Sequence, residues 1–503
     1  MRRHPRALGF AASVLIAVGS FGAGATRYRG GVLRELGLDF LAFGHGRGLM
    51  DLLLTAGIVG LVMAWVMLWK ARPSERQLRR TVWWWTGALA CSAPILSRDV
   101  YSYLMQGAML RDGFDPYSEG AAVNPGPFLW EVSHDWRNTT TPYGPLHLGL
   151  GKAVTTLVGD NVTAGLIAYR LISVAGFALI VWSVPRIAKA IGGDPALALW
   201  LGVANPVMLL HLIGGMHNEA VMVGLVSLGL LSCLRGRWCT PGIALIALAV
   251  SLKATAAVAL PFVVWLMVQR HSSTALGRAG MLAVSGAWAL VVNAAVIQLV
   301  TVASGTTWGW LAQITGNSKV INPLAGPTLA AELLTPLLQL VDDTFRYNTA
   351  LSWTRSVFSV LMLVGLVAVW WLFRPRPGTA YERRAVAGTT AAYAVAFVAN
   401  AVTLPWYYAS LISLTGTFRP PAWVVKGATG ASIIVALAFQ GSGNHRLYDA
   451  WFLALAAIGA VVAVEWMFRD ASRTPWPARD ESPRGPSGRE AHLQDAPAES
   501  RPA

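Results

Sequence analysis

The chain carries little charge and almost no cysteine. Charged residues make up 13% of its 503 positions against 54% hydrophobic, and the mean hydropathy is +0.49, which excludes an ordinary soluble domain and describes a chain solvated mostly by lipid. The three cysteines, Cys91, Cys233 and Cys239, fall within apolar runs or at their expected inner ends, so no pair is placed to form an external disulfide. The sequence has no G-x-x-x-x-G-K-[ST] loop for a nucleotide phosphate. Its external carboxylates also lack an Asp-x-Asp pair for a divalent metal. The nine histidines do not fall at zinc-ligand spacing, so no cofactor is implied. No internal repeat stands out, which weighs against a secondary transporter built from inverted halves.

Long apolar runs fill the space these absences leave. A helix needs about 20 apolar residues to span a bilayer, and runs near that length recur from residue 7 to 468, giving an expectation of an all-α, polytopic membrane protein with roughly 13 or 14 spans. The formal charge of +15 does not imply nucleic acid, because the basic residues cluster beside the apolar runs, where they set topology. Arg2, Arg3 and Arg6, then Lys70 to Arg80, put the N-terminus and the end of the second run in the cytoplasm. The first run, 7–25, is read as a retained span rather than a cleaved signal.

With this orientation, residues 97–161 and 301–350 form two large extracytoplasmic loops within a membrane domain spanning 1–468. Residues 145–158 are apolar but too short to cross, so a re-entrant segment is expected there. The apolar run 242–268 is broken at Ser251-Leu252-Lys253 and reads as two short helices turning at Lys253 on the outer side. Residues 469–503, rich in Pro, Ser, Arg and Glu, are expected to be a disordered cytoplasmic tail.

Polar chemistry concentrates on one face, which favours an enzyme over a carrier. Asp99 stands where a span gives way to an outer loop, placed to accept a proton from a sugar hydroxyl or, alternatively, to cap a helix beginning at Val100. The adjacent Arg98 would lower its pKa. His217-Asn218-Glu219 lies at the outer end of another run, and Lys253, costly inside a membrane, is the expected complement of Glu219 or of a lipid phosphate. Tyr103, Asp115, Tyr143 and Trp406 suit a sugar, whose faces pack on aromatics and whose hydroxyls bond carboxylates; Asp115 and Tyr143 equally suit turns beside Gly113-x-x-Pro116 and Gly144-Pro145. Trp308, Trp310, Lys319 and Asn322 occupy the second loop.

Phe43-Gly44-His45-Gly46, Ser97-Arg98-Asp99-Val100-Tyr101-Ser102-Tyr103, Asp112-Gly113-Phe114-Asp115-Pro116-Tyr117, Pro142-Tyr143-Gly144-Pro145, Gly215-Met216-His217-Asn218-Glu219, Lys253-Ala254-Thr255-Ala256 and Leu404-Pro405-Trp406-Tyr407-Tyr408, taken in order, resemble the GT-C glycosyltransferases. More closely they are similar to the actinobacterial, polyprenyl-phosphate-mannose-dependent α-(1→6)-mannosyltransferases of lipomannan and lipoarabinomannan synthesis. The resemblance covers most of residues 9–468 and implies a multi-pass plasma-membrane enzyme with an extracytoplasmic active site. It implies inverting transfer from a polyprenyl-phosphate-mannose donor to a mannan or phosphatidylinositol-mannoside-type lipoglycan acceptor. Asp99 would be the general base, Lys253 and Arg98 would meet the donor phosphate, and Glu219, His217, Asn218, Asp115, Tyr143, Trp406 and Tyr103 would contact sugar. Transfer of another lipid-linked sugar, or lipid or polysaccharide transport, remain the alternatives.

Overall fold

Short polar side chains set where the helices begin. At the start of one helix Ser74 and Gln77 exchange side-chain-to-backbone bonds. Elsewhere Asn161 accepts from the Ala164 N–H, Asp194 from those of Ala196 and Leu197, and Asn205 from that of Val207. Proline follows both Asp194 and Asn205, where its missing N–H costs nothing.

The computed structural model describes residues 4–236, 238–272, 274–316, 320–376 and 380–469; Lys319 and the tail beyond Arg469 lie outside them. The main helices are α1 His4–Ala23, α2 Gly44–Ala71, α3 Glu75–Ala90, α4 Asp99–Arg111, α5 Pro145–Val158, α6 Val162–Ala190, α7 Pro195–Gly202, α8 Pro206–Gly214 and α9 Glu219–Arg235. They continue with α10 Thr240–Val250, α11 Leu260–His271, α12 Ala275–Ser304, α13 Gly326–Gln339, α14 Tyr347–Leu372, α15 Tyr381–Ala399, α16 Ala422–Ala438 and α17 Ala450–Phe468. Among the described residues the only β-pairing recorded is an isolated bridge between Phe439 and His445. The fold is therefore all-α and polytopic.

Seven helices among the described residues are long and apolar enough to cross a membrane, or up to eight if α7 and α8, bent by 53°, form one span. The roughly 13 or 14 segments expected from sequence also included α9, α10 and α16, which fold as helices of 17, 11 and 17 residues, and α3, which has 16. Hydropathy alone does not separate a full crossing from a shorter buried helix. Residues 145–158 do form a helix of 14 residues, and the run 242–268 does break into α10 and α11 around Lys253.

Lipid-facing surface is plain on the periphery. None of the apolar window of α14 is buried, and α12 and α17 bury 17% and 22% of theirs, leaving such side chains as Val360, Leu363 and Leu455 exposed. Inside, Trp65 of α2 and Trp200 of α7 stack at 4.7 Å, and each indole N–H donates to the other's carbonyl, at 2.8 and 2.9 Å, which satisfies both donors away from water. That reciprocal clasp fixes α7, and with it the chain leading to α8 and His217.

Candidate active site

Three close backbone approaches bring the site together. Gly107 of α4 and Gly151 of α5 cross so tightly that a Cβ on Gly107 would lie 2.2 Å from the Gly151 carbonyl carbon. Gly144 meets the Ser251 carbonyl, which a Cβ would approach to 2.3 Å, and the N–H groups of Gly144 and Leu146 donate to Leu252 and Ser251 at 3.1 and 2.8 Å. Tyr143 and α5 are thereby bonded to the backbone that presents Lys253. From the other side, Ile95 donates to the Gly214 carbonyl at 3.2 Å, joining the approach to Asp99 with the approach to His217.

Both approaches are backbone exceptions. Leu96 and Met216 adopt positive φ, 63° and 54°, a region that side chains other than glycine seldom occupy and that clusters at functional sites. Residues Leu209–Gly214 are wound as a π-helix, another feature associated with such sites. Together they turn His217, Asn218 and Glu219 towards Asp99.

Asp99 is the first residue of α4, but Arg98 holds the N-cap position and no side chain caps that helix. The capping alternative is thus not used, and the carboxylate is left for the site. Its Oδ2 lies 3.5 Å from His217 Nδ1, and His217 stacks on Trp406 with centroids 3.5 Å apart and planes 16° from parallel. Glu219, fully buried, accepts from the Lys253 ammonium, which also packs over the Tyr407 ring at 3.6 Å and the Tyr143 ring at 5.5 Å. Lys253 is therefore paired rather than extended to the surface. His147 is held between two amides, Nδ1 accepting from Asn218 Nδ2 at 3.2 Å and Nε2 donating to Gln106 Oε1 at 3.1 Å. Tyr103 meets Tyr143 edge-on at 5.6 Å.

Burial dominates the electrostatics. It raises the Asp99 carboxyl to about 6; the Ser97 hydroxyl opposes this, Glu219 adds to it, and Lys253 and the Tyr103 hydroxyl pull it back. It lowers His147 to about 3 and His217 well below its usual range, so both are neutral imidazoles at neutral pH. Burial likewise keeps the Tyr103 and Tyr143 phenols protonated. Asp99 retains 19% side-chain exposure, whereas His217 and Glu219 have none. Of these ionisable groups, Asp99 is the proton acceptor a substrate can reach.

Asp99, Tyr103, Tyr143, His217, Asn218, Glu219, Lys253 and Trp406 are thus gathered in one place. Arg98 and Asp115 are not. Arg98 donates to the Thr26 and Glu131 carbonyls at 2.6 and 2.8 Å and lies over the Tyr28 ring at 3.7 Å, with none of its recorded bonds to Asp99 or Lys253. The Asp115 carboxylate accepts from the Tyr117 N–H and the Ser118 hydroxyl, both at 3.0 Å, and serves its own turn. His147, Gln106, Tyr407 and Glu131 were not foreseen. His147 follows Tyr143 at helical spacing and Tyr407 adjoins Trp406, so both lay next to visible motifs. Glu131 carried no local signal.

A multi-helix membrane fold with a buried Glu–Lys pair and a reachable, desolvated Asp against a neutral His defines a membrane-embedded acid–base site. The N-terminal domain of the α-(1→6)-mannopyranosyltransferase family matches residues 6–269, and the MptB C-terminal domain matches residues 327–469. The chain is 54% identical to α-(1→6)-mannopyranosyltransferase A of Corynebacterium glutamicum, over 91% of this chain and 96% of that one. It is 37% identical to the protein of the same name from Mycobacterium tuberculosis, over 93% and 90%. The chain belongs to the α-(1→6)-mannopyranosyltransferase family.

Proposed function

We propose that the protein transfers mannose from polyprenyl-phosphate-mannose to the growing α-(1→6)-mannan of lipomannan and lipoarabinomannan, on the extracytoplasmic face of the plasma membrane. The observation that carries this reading is Asp99, desolvated yet still 19% exposed, in a site where the buried Lys253 already faces a carboxylate. The relatives' names supply the sugar and the linkage.

In this scheme Asp99 takes the proton from the acceptor's 6-hydroxyl as that oxygen attacks the anomeric carbon. The bond from that carbon to the phosphate oxygen breaks, the β-linked donor becomes an α-linked product, and polyprenyl phosphate departs carrying the negative charge. Lys253 offsets that charge, held in place by Glu219 and by the faces of Tyr143 and Tyr407. The neutral Asn218, Tyr103 and Tyr143 side chains offer hydrogen bonds to sugar hydroxyls, and Trp406, with His217 stacked on it, supplies an apolar wall. His147 fixes the Asn218 amide, so the Asn218 carbonyl oxygen points away from it and is available to a hydroxyl. Arg98, turned to Glu131, steadies the start of α4.

The reading is tested with protein reconstituted in liposomes, supplied with labelled synthetic polyprenyl-phosphate-mannose and a short α-(1→6)-mannoside. Elongation by an α-(1→6)-linked mannose from this donor, and not from a nucleotide-linked mannose, is expected. Elongation by a different lipid-linked sugar with none from mannose would overturn the donor assignment.

A further inference from the structure

The end of the bundle that carries Asp99 also holds a cavity of about 670 Å³, within the range of ligand sites. It lies between the last turn of α1, residues 26–34, the end of α3 and the first turns of α6. Neither Lys253 nor Glu219 lines it; it touches the neighbourhood of the catalytic cluster through Tyr101, two residues past Asp99, and Met216, just before His217. The sugar-bearing head of the donor therefore does not belong there.

The cavity is graded along α6. Its wall on α6 runs from Thr163 to Val174, about 16 Å at the α-helical rise, or half of a hydrocarbon core of about 30 Å. Leu171 and Val174 form its deep end, and Leu171 is 66% exposed, so the cavity opens sideways towards lipid. Arg27 and Arg34 stand at the shallow end, where Asp39 is the one acid among the described residues of the cavity's lining, so the mouth keeps a net positive charge. Arg27 donates to Thr163 Oγ1 at 3.0 Å and shares the Glu131 carboxylate with Arg98, leaving two guanidinium groups to one acid. Arg34 is exposed. The segment beside this end shows Leu36, Phe40 and Phe43 outward at 65%, 61% and 68% exposure, the pattern of a chain lying in the headgroup region. At the back, Arg170 spends its donors on the Ile213, Gly214 and Ser92 carbonyls and so ties this wall to the chain that leads to His217.

We propose that this groove holds a resident anionic glycerophospholipid, with its phosphate against Arg27 and Arg34 and one acyl chain along α6. A basic mouth over an apolar slot one leaflet deep matches that amphiphile in both charge and length. The lipid buttresses Met216 and Tyr101 from behind and takes no part in the transfer itself.

The test uses full-length protein in nanodiscs of phosphatidylcholine and phosphatidylglycerol, returned to detergent and weighed by native mass spectrometry. Wild type is expected to retain one phosphatidylglycerol, and Leu171→Trp and Arg34→Glu each to cut that retention at least tenfold. Both side chains are exposed, so either variant alone suffices should the other fold poorly. Equal retention in both variants, or equal retention of phosphatidylcholine, would overturn the site. Displacement of phosphatidylglycerol by an equal amount of polyprenyl phosphate would overturn this occupant and give the groove to the donor's chain.

Discussion

Removing either partner of the Lys253–Glu219 pair separates its contribution to the fold from its contribution to the reaction. Glu219 has no side-chain exposure and Lys253 has 10%, so Glu219→Gln leaves an ammonium in the interior facing a neutral amide. Breaking a buried pair in this way costs about 3–5 kcal/mol, whereas removing both charges together is often nearly neutral. Thermal unfolding in detergent should therefore fall by several degrees in Glu219→Gln and Lys253→Met alone and largely recover in the double variant. Mannosyl transfer should not recover, because the cation proposed to offset the leaving phosphate is gone. A Glu219→Gln protein that unfolds at the wild-type temperature would refute the energetic reasoning; a double variant with wild-type turnover would refute the role of Lys253.

Three further outcomes follow from the geometry. Because burial raises Asp99 to about 6, and the base must be unprotonated, kcat/KM should fall about tenfold per pH unit below that value; a profile flat down to about pH 4, the range of an unperturbed carboxylate, would contradict it. Trp406→Ala removes the ring on which His217 stacks at 3.5 Å; an aromatic pair adds about 0.5–1.5 kcal/mol, so kcat should drop several-fold or more, with Trp406→Phe retaining most of it, and equal losses in the two variants would exclude stacking as the cause. Trp200→Phe removes the indole N–H that donates to the Trp65 carbonyl, a hydrogen bond worth about 0.5–1.5 kcal/mol; the unfolding midpoint should fall while KM for the acceptor stays put, and a raised KM would show that the clasp reaches the site.

What could be read from the sequence was whatever is local. The break at Lys253 follows from a polar residue interrupting an apolar run, the short helix 145–158 from a run too short to cross, and the helix expected from Val100, which starts at Asp99, from side chains at helical spacing. Glu219 with Lys253 was legible because hydrocarbon forces a buried charge to find a partner. Arg98 misled for the opposite reason: adjacency to Asp99 suggested an electrostatic partner, but at the start of a helix neighbouring side chains diverge, and Arg98 turns to Glu131, 33 residues on. His147 was hidden because it and its partners, Gln106 and Asn218, come from three different parts of the chain. The crossing of Gly107 and Gly151 joins them, and nothing in either local sequence announces it. Asp115 looked available because turn chemistry and sugar chemistry call for the same residue.

The central claim is that Asp99 removes the proton from the acceptor hydroxyl. Its most direct test is the single-turnover rate of mannose transfer with donor and acceptor saturating, in wild type and in Asp99→Asn, which keeps the shape and loses the base. A fall of about 10²–10⁴-fold, with insertion and thermal unfolding unchanged, is expected. Transfer at the wild-type rate would contradict the assignment.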